Sequence, residues 1–481
     1  MSIGEKKAVK VALLNPPLVK GFFRHQPYLP IGLAYLAAVL EQAGHEVKVI
    51  DCQALDMDLE RLKSEISSFK PNLVGITSIA PLIRSALLSA KAVKEAFPDV
   101  PVVLGGPHAT FMDEQIIAQE ASVDVIVRGE GEETLIELVE TVYDSKKLQS
   151  INGITFRSNN QVVRTPNRAF IQNLDDLPRP AYNHFQLEKY RLFGKRVLPV
   201  ITSRGCPFQC SFCVASRMFG KQYRMRSSEN VIDELEWLKN EHGAESFTFY
   251  DDTLTFDKQR LFRICDGIKY RKINLPWDCQ TRVDQVSKEV LAKMKEVGCQ
   301  QVFFGAESGC QKVLDAVNKK TTIEQNEKAI KMAKEAGLFV TISLIIGYPG
   351  ETRETLKQTM DFVKRSKPDD VYVCVATPFP GTELRSLVEK TGWKTSSNWD
   401  FYDTITPVFE NPELLPDEIV TFREKFYDSF YSPSYVFQHF FKRNSYSRMM
   451  ARTAANHIFW RIRSARKSKK TVAPDVNDSN S

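Results

Sequence analysis

The chain reads as an α/β protein of two successive units, a doubly wound parallel sheet and then a partial barrel of strand-helix repeats, with a helical carboxyl-terminal extension. Three observations predict this. Short apolar runs alternate with helical patterns from residue 10 to about 140, the mark of parallel strands joined by crossover helices. Six more strand-then-helix repeats run from Leu198 to Ala376, two short of a closed eight-stranded barrel. In both units glycines, hydroxyls and charges gather just after the strands, where such folds hold ligands. At 481 residues the chain is also too long for one hydrophobic core.

The first unit has strands at Val11 to Leu14, Val47 to Ile50, Leu73 to Thr77, Val102 to Gly106 and Val125 to Arg128, with a helix from Ile31 to Ala43. Its strand ends supply Asn15 and Pro16, Thr77 and Ser78, Gly105, Gly106 and His108, and Arg128, Gly129, Glu130 and Glu132. Glycine there lets backbone approach a ligand closely. The G-x-G-x-x-G pattern is missing after the first strand, which argues against a nicotinamide or flavin dinucleotide.

This unit is assigned to residues 8–150. A hairpin pattern, Ile151 to Arg157 and Gln161 to Thr165, leads into the proline-bearing Asn173-Leu-Asp-Asp-Leu-Pro178-Arg-Pro180. Residues 151–190 therefore read as a hairpin and an extended, exposed linker. The barrel is assigned to 191–392. Its strands are Leu198 to Thr202, Ser246 to Tyr250, Trp277 to Gln280, Gln301 to Phe304, Phe339 to Ile346 and Val371 to Ala376. Helices are expected at Ser228 to Asn240, Lys258 to Tyr270, Lys288 to Val297, Ile323 to Ala336 and Thr352 to Lys364.

The first barrel strand delivers the run Ser203-Arg-Gly-Cys-Pro-Phe-Gln-Cys-Ser-Phe-Cys213. Its C-x3-C-x2-C spacing gives three thiolates, Cys206, Cys210 and Cys213, and no fourth. A 4Fe-4S cluster held by three cysteines keeps one iron open for chemistry. Structural zinc and three inert buried thiols are the alternatives, although no second cysteine pair and no nearby histidine follows. The other six of the nine cysteines are irregularly spaced and read as core thiols of a reducing compartment.

The run closely resembles the cluster loop of the radical S-adenosylmethionine (SAM) superfamily, in which an aromatic residue like Phe212 precedes the last cysteine. Leu14-Asn-Pro-Pro17, Pro30-Ile-Gly-Leu-Ala-Tyr-Leu36, Gly105-Gly-Pro-His-Ala-Thr110 and Arg128-Gly-Glu-Gly-Glu132 resemble the amino-terminal domain of its cobalamin-binding members. Those are enzymes of the anaerobic oxidative cyclase, hopanoid methylase and tetraether ring synthase type. The resemblance implies a Rossmann-like cobalamin domain whose ligand meets the strand-end residues above, then a TIM-like (β/α)6 barrel. One departure matters: the D-x-H-x-x-G loop that supplies a cobalt-binding histidine is absent, and Thr77-Ser-Ile-Ala-Pro81 holds no histidine. His108 could ligate cobalt, but lining the pocket is the preferred reading.

For SAM the resemblance implies contacts from Phe212 beside the cluster and from Asp251 and Asp252, which stand where the family carries a Gly-Gly-Glu-like patch. Arg282 would meet the SAM carboxylate, Glu307 and Ser308 the ribose, and Ile345, Gly347 and Glu351 the adenine side. The implied chemistry is reductive cleavage of SAM to a 5′-deoxyadenosyl radical, with electrons from a donor such as ferredoxin or flavodoxin. A substrate radical would follow, and cobalamin would allow methylation of unactivated carbon. Ring formation or oxidation in a tetrapyrrole or tetraether-lipid pathway is the second reading, and a non-catalytic cobalamin or metal sensor the third. The intact triplet disfavours the third.

Residues 393–470 form a basic, aromatic region with a helix from Glu418 to Phe430, and 471–481 read as a disordered tail. Between Val436 and Lys470 stand ten Lys or Arg and no acidic residue. Aromatics interleaved with these cations motivate a hydrophobic, lipid- or isoprenoid-like substrate and peripheral membrane contact, chiefly through 446–470. For 418–441 the preferred reading is that the aromatics cap the barrel. No RNA-binding module follows the barrel, so no nucleic-acid partner is expected. The start, Met1-Ser-Ile-Gly-Glu-Lys-Lys, carries no signal-peptide pattern, and no apolar run reaches eighteen residues. A cytoplasmic location, in part at the membrane surface, is the expectation.

Overall fold

A computed structural model describes residues 8–18, 28–141, 145–192, 194–441 and 446–455. Its first sheet runs β1 (Lys10–Asn15), β2 (Glu46–Asp51), β3 (Leu73–Thr77), β4 (Val102–Gly105), β5 (Val125–Val127), β6 (Ile154–Ser158) and β7 (Gln161–Arg164). The order is β2-β1-β3-β4-β5-β6-β7, parallel through β5 and antiparallel thereafter. Alternation along β1 sends Val11 and Leu13 into one core and Ala12 and Leu14 into another. Burial on both faces is why these strands read as unbroken apolar runs.

The segment expected to link the units is built in instead. Its hairpin pairs antiparallel with β5 and completes the first sheet. The stretch after the prolines is anchored by its apolar residues: Ala181, Tyr182, Phe185 and Tyr190 are buried in a core shared by both units, while Asn183, Gln186, Glu188 and Lys189 are exposed. Tyr182 donates its hydroxyl hydrogen to the Pro199 carbonyl at 2.5 Å, and Tyr190 donates to Asp51 at 2.7 Å. Prolines shape this chain without placing it in solvent, because the aromatics that follow them carry the burial energy.

The second sheet follows with β8 (Arg191–Leu192), β9 (Lys195–Val200), β12 (Ser246–Phe249), β13 (Trp277–Thr281), β14 (Cys299–Glu307), β15 (Phe339–Ile346) and β16 (Asp370–Val375). The short β10 (Ser203–Arg204) and β11 (Arg224–Met225) pair with each other beside it. Strands β9 and β12 to β16 are parallel and ordered in sequence, with β8 antiparallel on the edge. This is the expected partial barrel of six strand-helix units. The intervening helices bear Ser, Asp or Thr caps: Ser227, Asp257, Ser287, Thr322 and Thr352 each accept from a backbone N–H of the first turn, which satisfies groups the helix cannot pair itself.

An open barrel leaves β16 with an unpaired edge, a hazard for aggregation. The helix Pro416–Phe430 covers it. Val373 donates its N–H to the Tyr427 hydroxyl at 2.9 Å, and Arg423 donates to the Val373 carbonyl at 3.0 Å. The preferred reading of 418–441 as a cap holds for Phe426 and Tyr435, which are buried, and fails for Phe437, Phe440 and Phe441, which are exposed. Tyr446, expected at a membrane, is buried and donates to Asp278 at 3.2 Å; the barrel offers its ring an apolar site and its hydroxyl an acceptor. The cationic stretch from 456 on, including Ile458 to Ile462, and the tail 471–481 lie outside the described residues. No helix among the described residues is long and apolar enough to cross a membrane.

Candidate functional site

The cysteine loop leaves β9 and is fixed by its backbone. Gly205 has φ +88°, and a Cβ there would collide with the Gln222 carbonyl, so the turn into Cys206 requires glycine. Cys206 N–H donates to the Gly220 carbonyl at 3.1 Å, and Ser211 N–H to that of Val317 at 3.0 Å. Ser211 and Tyr348 hydroxyls meet at 2.7 Å, and Asn318 donates to the Gln209 carbonyl at 2.7 Å. All three cysteines are free thiols. Burial raises the pKa of Cys206 and pushes that of Cys213 up to about 12.

On the facing unit, the strand ends β3 and β4 make a crevice. Gly106 has φ +92°, and a Cβ would sit 2.6 Å from the Ser78 carbonyl. Ser78 donates to the Gly105 carbonyl at 2.9 Å and accepts from Ala109 N–H at 3.3 Å, so it builds the crevice without lining it. Thr77, Gly105, Gly106 and Gly129 do line it.

The crevice opens onto a cavity of about 350 Å³. One wall is the first unit's strand ends, and the other includes Ser203, Arg204, Tyr250 and Asp252 of the barrel. Two buried arginines stitch the walls together. Arg204 reaches Glu130 at 3.0 Å and Glu132 at 2.6 Å, and Arg224 reaches Glu130 at 2.9 Å. The Arg204 guanidinium also lies 5.3 Å from the centre of the Tyr35 ring. Burial opposes that guanidinium's charge, but Glu132 and Glu130 outweigh it and hold its pKa above the ordinary value.

Residues 200–363 match the model of the radical SAM superfamily, and 24–139 match that of the B12 binding domain. An uncharacterized methyltransferase of Pyrococcus horikoshii is 38% identical over 88% of this chain and 93% of its own. The chain belongs to the radical SAM superfamily. More narrowly, it is an enzyme of the branch that carries a B12-binding domain. The anaerobic magnesium-protoporphyrin IX monomethyl ester cyclase of Rubrivivax gelatinosus is 32% identical over 81% of this chain and 71% of its own. In fold it resembles the radical SAM methyltransferase TsrM of Kitasatospora setae, with a TM-score of 0.72, 19% identity and 89% and 90% of the two chains covered.

This membership brings a 4Fe-4S cluster, SAM and cobalamin as cofactors, and the residues present fit them. The donor set is three free thiols, in electrostatic range of one another. The glycine-lined crevice, with Gly105, Gly106 and Gly129 presenting backbone to the cavity, suits a flat ligand pressed against backbone.

Within this radical SAM enzyme the expected contacts divide. Of the cobalamin-side residues, Thr77, Gly105, Gly106, Gly129, Glu130 and Glu132 face the cavity. Asn15 and Pro16 do not: Asn15 donates to Asp51 at 2.8 Å, and the Pro16 carbonyl accepts from Gln53 at 3.1 Å. Arg128 pairs with Asp113 at 3.3 Å and donates to the Thr165 carbonyl at 2.5 Å, which anchors the hairpin. His108 packs edge-on to Trp399, ring centres 4.6 Å apart, and burial lowers its pKa to about 4. It lines a separate hollow with Trp399 and not the cavity beside the crevice, so the expected lining of the cobalamin-side pocket by His108 is not met: the Trp399 ring holds the imidazole on the other side.

Of the SAM-side residues, Asp252 opens onto the cavity. Surrounding protein withdraws solvent from its carboxyl and pushes the pKa up to about 6, with Asp251 adding to the rise. Asp251 instead accepts from the hydroxyls of Thr202, at 2.6 Å, and Ser203, which braces the strand before the cysteines. Phe212 and Ile345 share one apolar cluster. Glu307 pairs with Lys319 at 2.7 Å, and Ser308 bonds the Thr359 hydroxyl at 3.1 Å. Sequence patterns single out neither Arg224 nor Lys319, and show of Arg204 only that it forms, with Gly205, the turn into Cys206.

Glu351 accepts from Gly347 N–H at 2.6 Å, closing its own loop. Burial pushes its pKa up to about 8 from 4.5, against the lowering effect of the Gly347 and Tyr348 N–H groups. A carboxyl with a raised folded-state pKa stays protonated in the fold while the unfolded chain ionises, so stability falls as pH climbs between those two values. Glu351→Gln fixes a neutral group. Its melting temperature should decline less than the wild type's between about pH 5 and pH 8; parallel curves would refute titration of Glu351 in that window.

Proposed function

We propose that this enzyme is a cobalamin-dependent radical SAM methyltransferase acting on an unactivated carbon of a substrate with a large apolar part, lipid- or isoprenoid-like. The observation that carries this reading is the single cavity walled by the B12-side strand ends and by the residues entering the cysteine loop. When bound, the reduced cluster supplies the electron that cleaves SAM, and cobalamin carries a methyl group. The chain's own part is to hold these groups against one space and keep water out. Leu33, Leu36, Val103, Leu135, Met218 and Phe219 line that space, so an alkyl or ring substrate gains by leaving water. The cavity's Glu130 and Glu132 are neutralised by Arg204 and Arg224, which leaves Asp252 to orient a polar group of SAM or substrate.

Protein purified anaerobically with hydroxocobalamin should retain corrinoid absorbance. Incubated with methyl-labelled SAM, a reductant and host lipid extract, it should transfer label into lipid. No retained corrinoid would sink the cobalamin assignment. Corrinoid with SAM cleavage but no transferred label would favour oxidation or ring formation, the latter being the activity named for the Rubrivivax relative.

Peripheral membrane contact is supported by a bare aromatic patch. Phe437 and Phe441 are 69% and 70% exposed, with Phe440 beside them, and the cation-rich, acid-free stretch continues from them. Such a face suits an anionic lipid surface. The full chain should float with vesicles containing phosphatidylglycerol, and the triple change Phe437→Ser, Phe440→Ser, Phe441→Ser should abolish flotation; undiminished flotation would discard this surface. Ferredoxin or flavodoxin remains the proposed electron donor.

A further inference from the structure

Cys210, the middle thiol of the triplet, faces a buried network of four charges. Arg282 follows β13 and lies 3.6 Å from the centre of the Phe208 ring, so it stacks on the loop between Cys206 and Cys210. Its Nε and Nη2 grip both oxygens of Asp284, at 2.9 and 3.0 Å. Nη2 also donates to the Lys319 carbonyl at 2.7 Å. The remaining nitrogen, Nη1, points at Cys210 Sγ from 3.8 Å. Lys319, whose ammonium pairs with Glu307 at 2.7 Å, completes the network. Both cationic side chains are buried, 5% and 7% exposed.

A guanidinium engaged on Asp284 through a bidentate fork has little capacity left for a second carboxylate. What it retains is one N–H directed at sulfur. We propose that Arg282 is a positioning residue for the cluster: it donates a hydrogen bond to the Cys210 sulfur and holds a fixed positive charge at that corner, instead of clamping the SAM carboxylate. The inference rests on the cluster reading of the triplet. Its physical basis is that reduction adds negative charge to a thiolate-held cluster. A nearby donor and cation in a low-dielectric site stabilise the reduced form more than the oxidised one. Arg282 thereby makes the cluster easier to reduce.

The test is a redox titration of the full chain, reconstituted anaerobically and followed by electron paramagnetic resonance, without SAM or substrate. Arg282→Gln should bind the same iron as the wild type, about four per chain, with its midpoint shifted to lower potential. Arg282→Lys keeps the charge but lacks the fork, and its midpoint should fall between the two. An unshifted midpoint in Arg282→Gln with full iron overturns the proposal, all the more if SAM affinity alone has dropped, since that is the signature of a carboxylate clamp. Should Arg282→Gln carry no iron, the comparison passes to Arg282→Lys, where a midpoint equal to the wild type's overturns it. A wild type without a four-iron cluster would instead remove the cluster reading on which the proposal stands.

Discussion

Arg204→Ala should destabilise the protein by about 3–5 kcal/mol, the scale of breaking a buried ion pair by removing one partner. The reason lies in what remains. Glu130 keeps Arg224 as a partner, whereas Arg204 supplies the ion pair to Glu132. The Glu132 side chain is 7% exposed, so its carboxylate would be stranded on an apolar cavity wall with no counter-charge. Removing both charges together, in Arg204→Gln with Glu132→Gln, leaves two neutral groups able to bond each other and should recover more than half of the loss. Urea denaturation of the three proteins measures this. A loss below about 1 kcal/mol in Arg204→Ala, the range of a surface pair, would show that water reaches Glu132 and that the two units are not stitched together by these charges.

That pair also marks where the sequence stops being legible. Strands and helices of both units could be read because each is a short apolar period bounded by punctuation such as Gly44, and local patterns carry local structure. The cysteine triplet could be read because its ligands lie within eight residues of chain. The Glu132–Arg204 bond joins positions 72 residues apart, and no local pattern encodes such a meeting. Asp251 and Asp252 illustrate the same limit at the scale of one step. Adjacent residues at a strand end point opposite ways, so one braces Thr202 and the other opens onto the cavity. The proline-bearing linker misled for a different reason. Pro178 and Pro180 do report extended backbone, but exposure is decided by Tyr182 and Phe185, which find a core that both units share.

Cys206→Ala should leave a folded chain that assembles no four-iron cluster and makes no 5′-deoxyadenosine from SAM. The loop is held through its backbone, by the Cys206 N–H bond to Gly220, the Ser211 contacts and the glycine turn at Gly205, and none of these uses the Cys206 thiol. Loss of the side chain therefore removes a ligand and not a support. A cubane left with two thiolates has two irons lacking a protein donor, and its assembly fails. Cys265→Ala provides the opposite case. That thiol is fully buried in the main core, and its removal should cost about 1 kcal/mol of stability while iron content and SAM cleavage stay at wild-type levels. Iron analysis, chromatography of the cleavage product and circular dichroism on both variants separate a cluster ligand from a packing thiol. Cleavage retained by Cys206→Ala would mean that the triplet does not hold the cluster, whatever its spacing suggests.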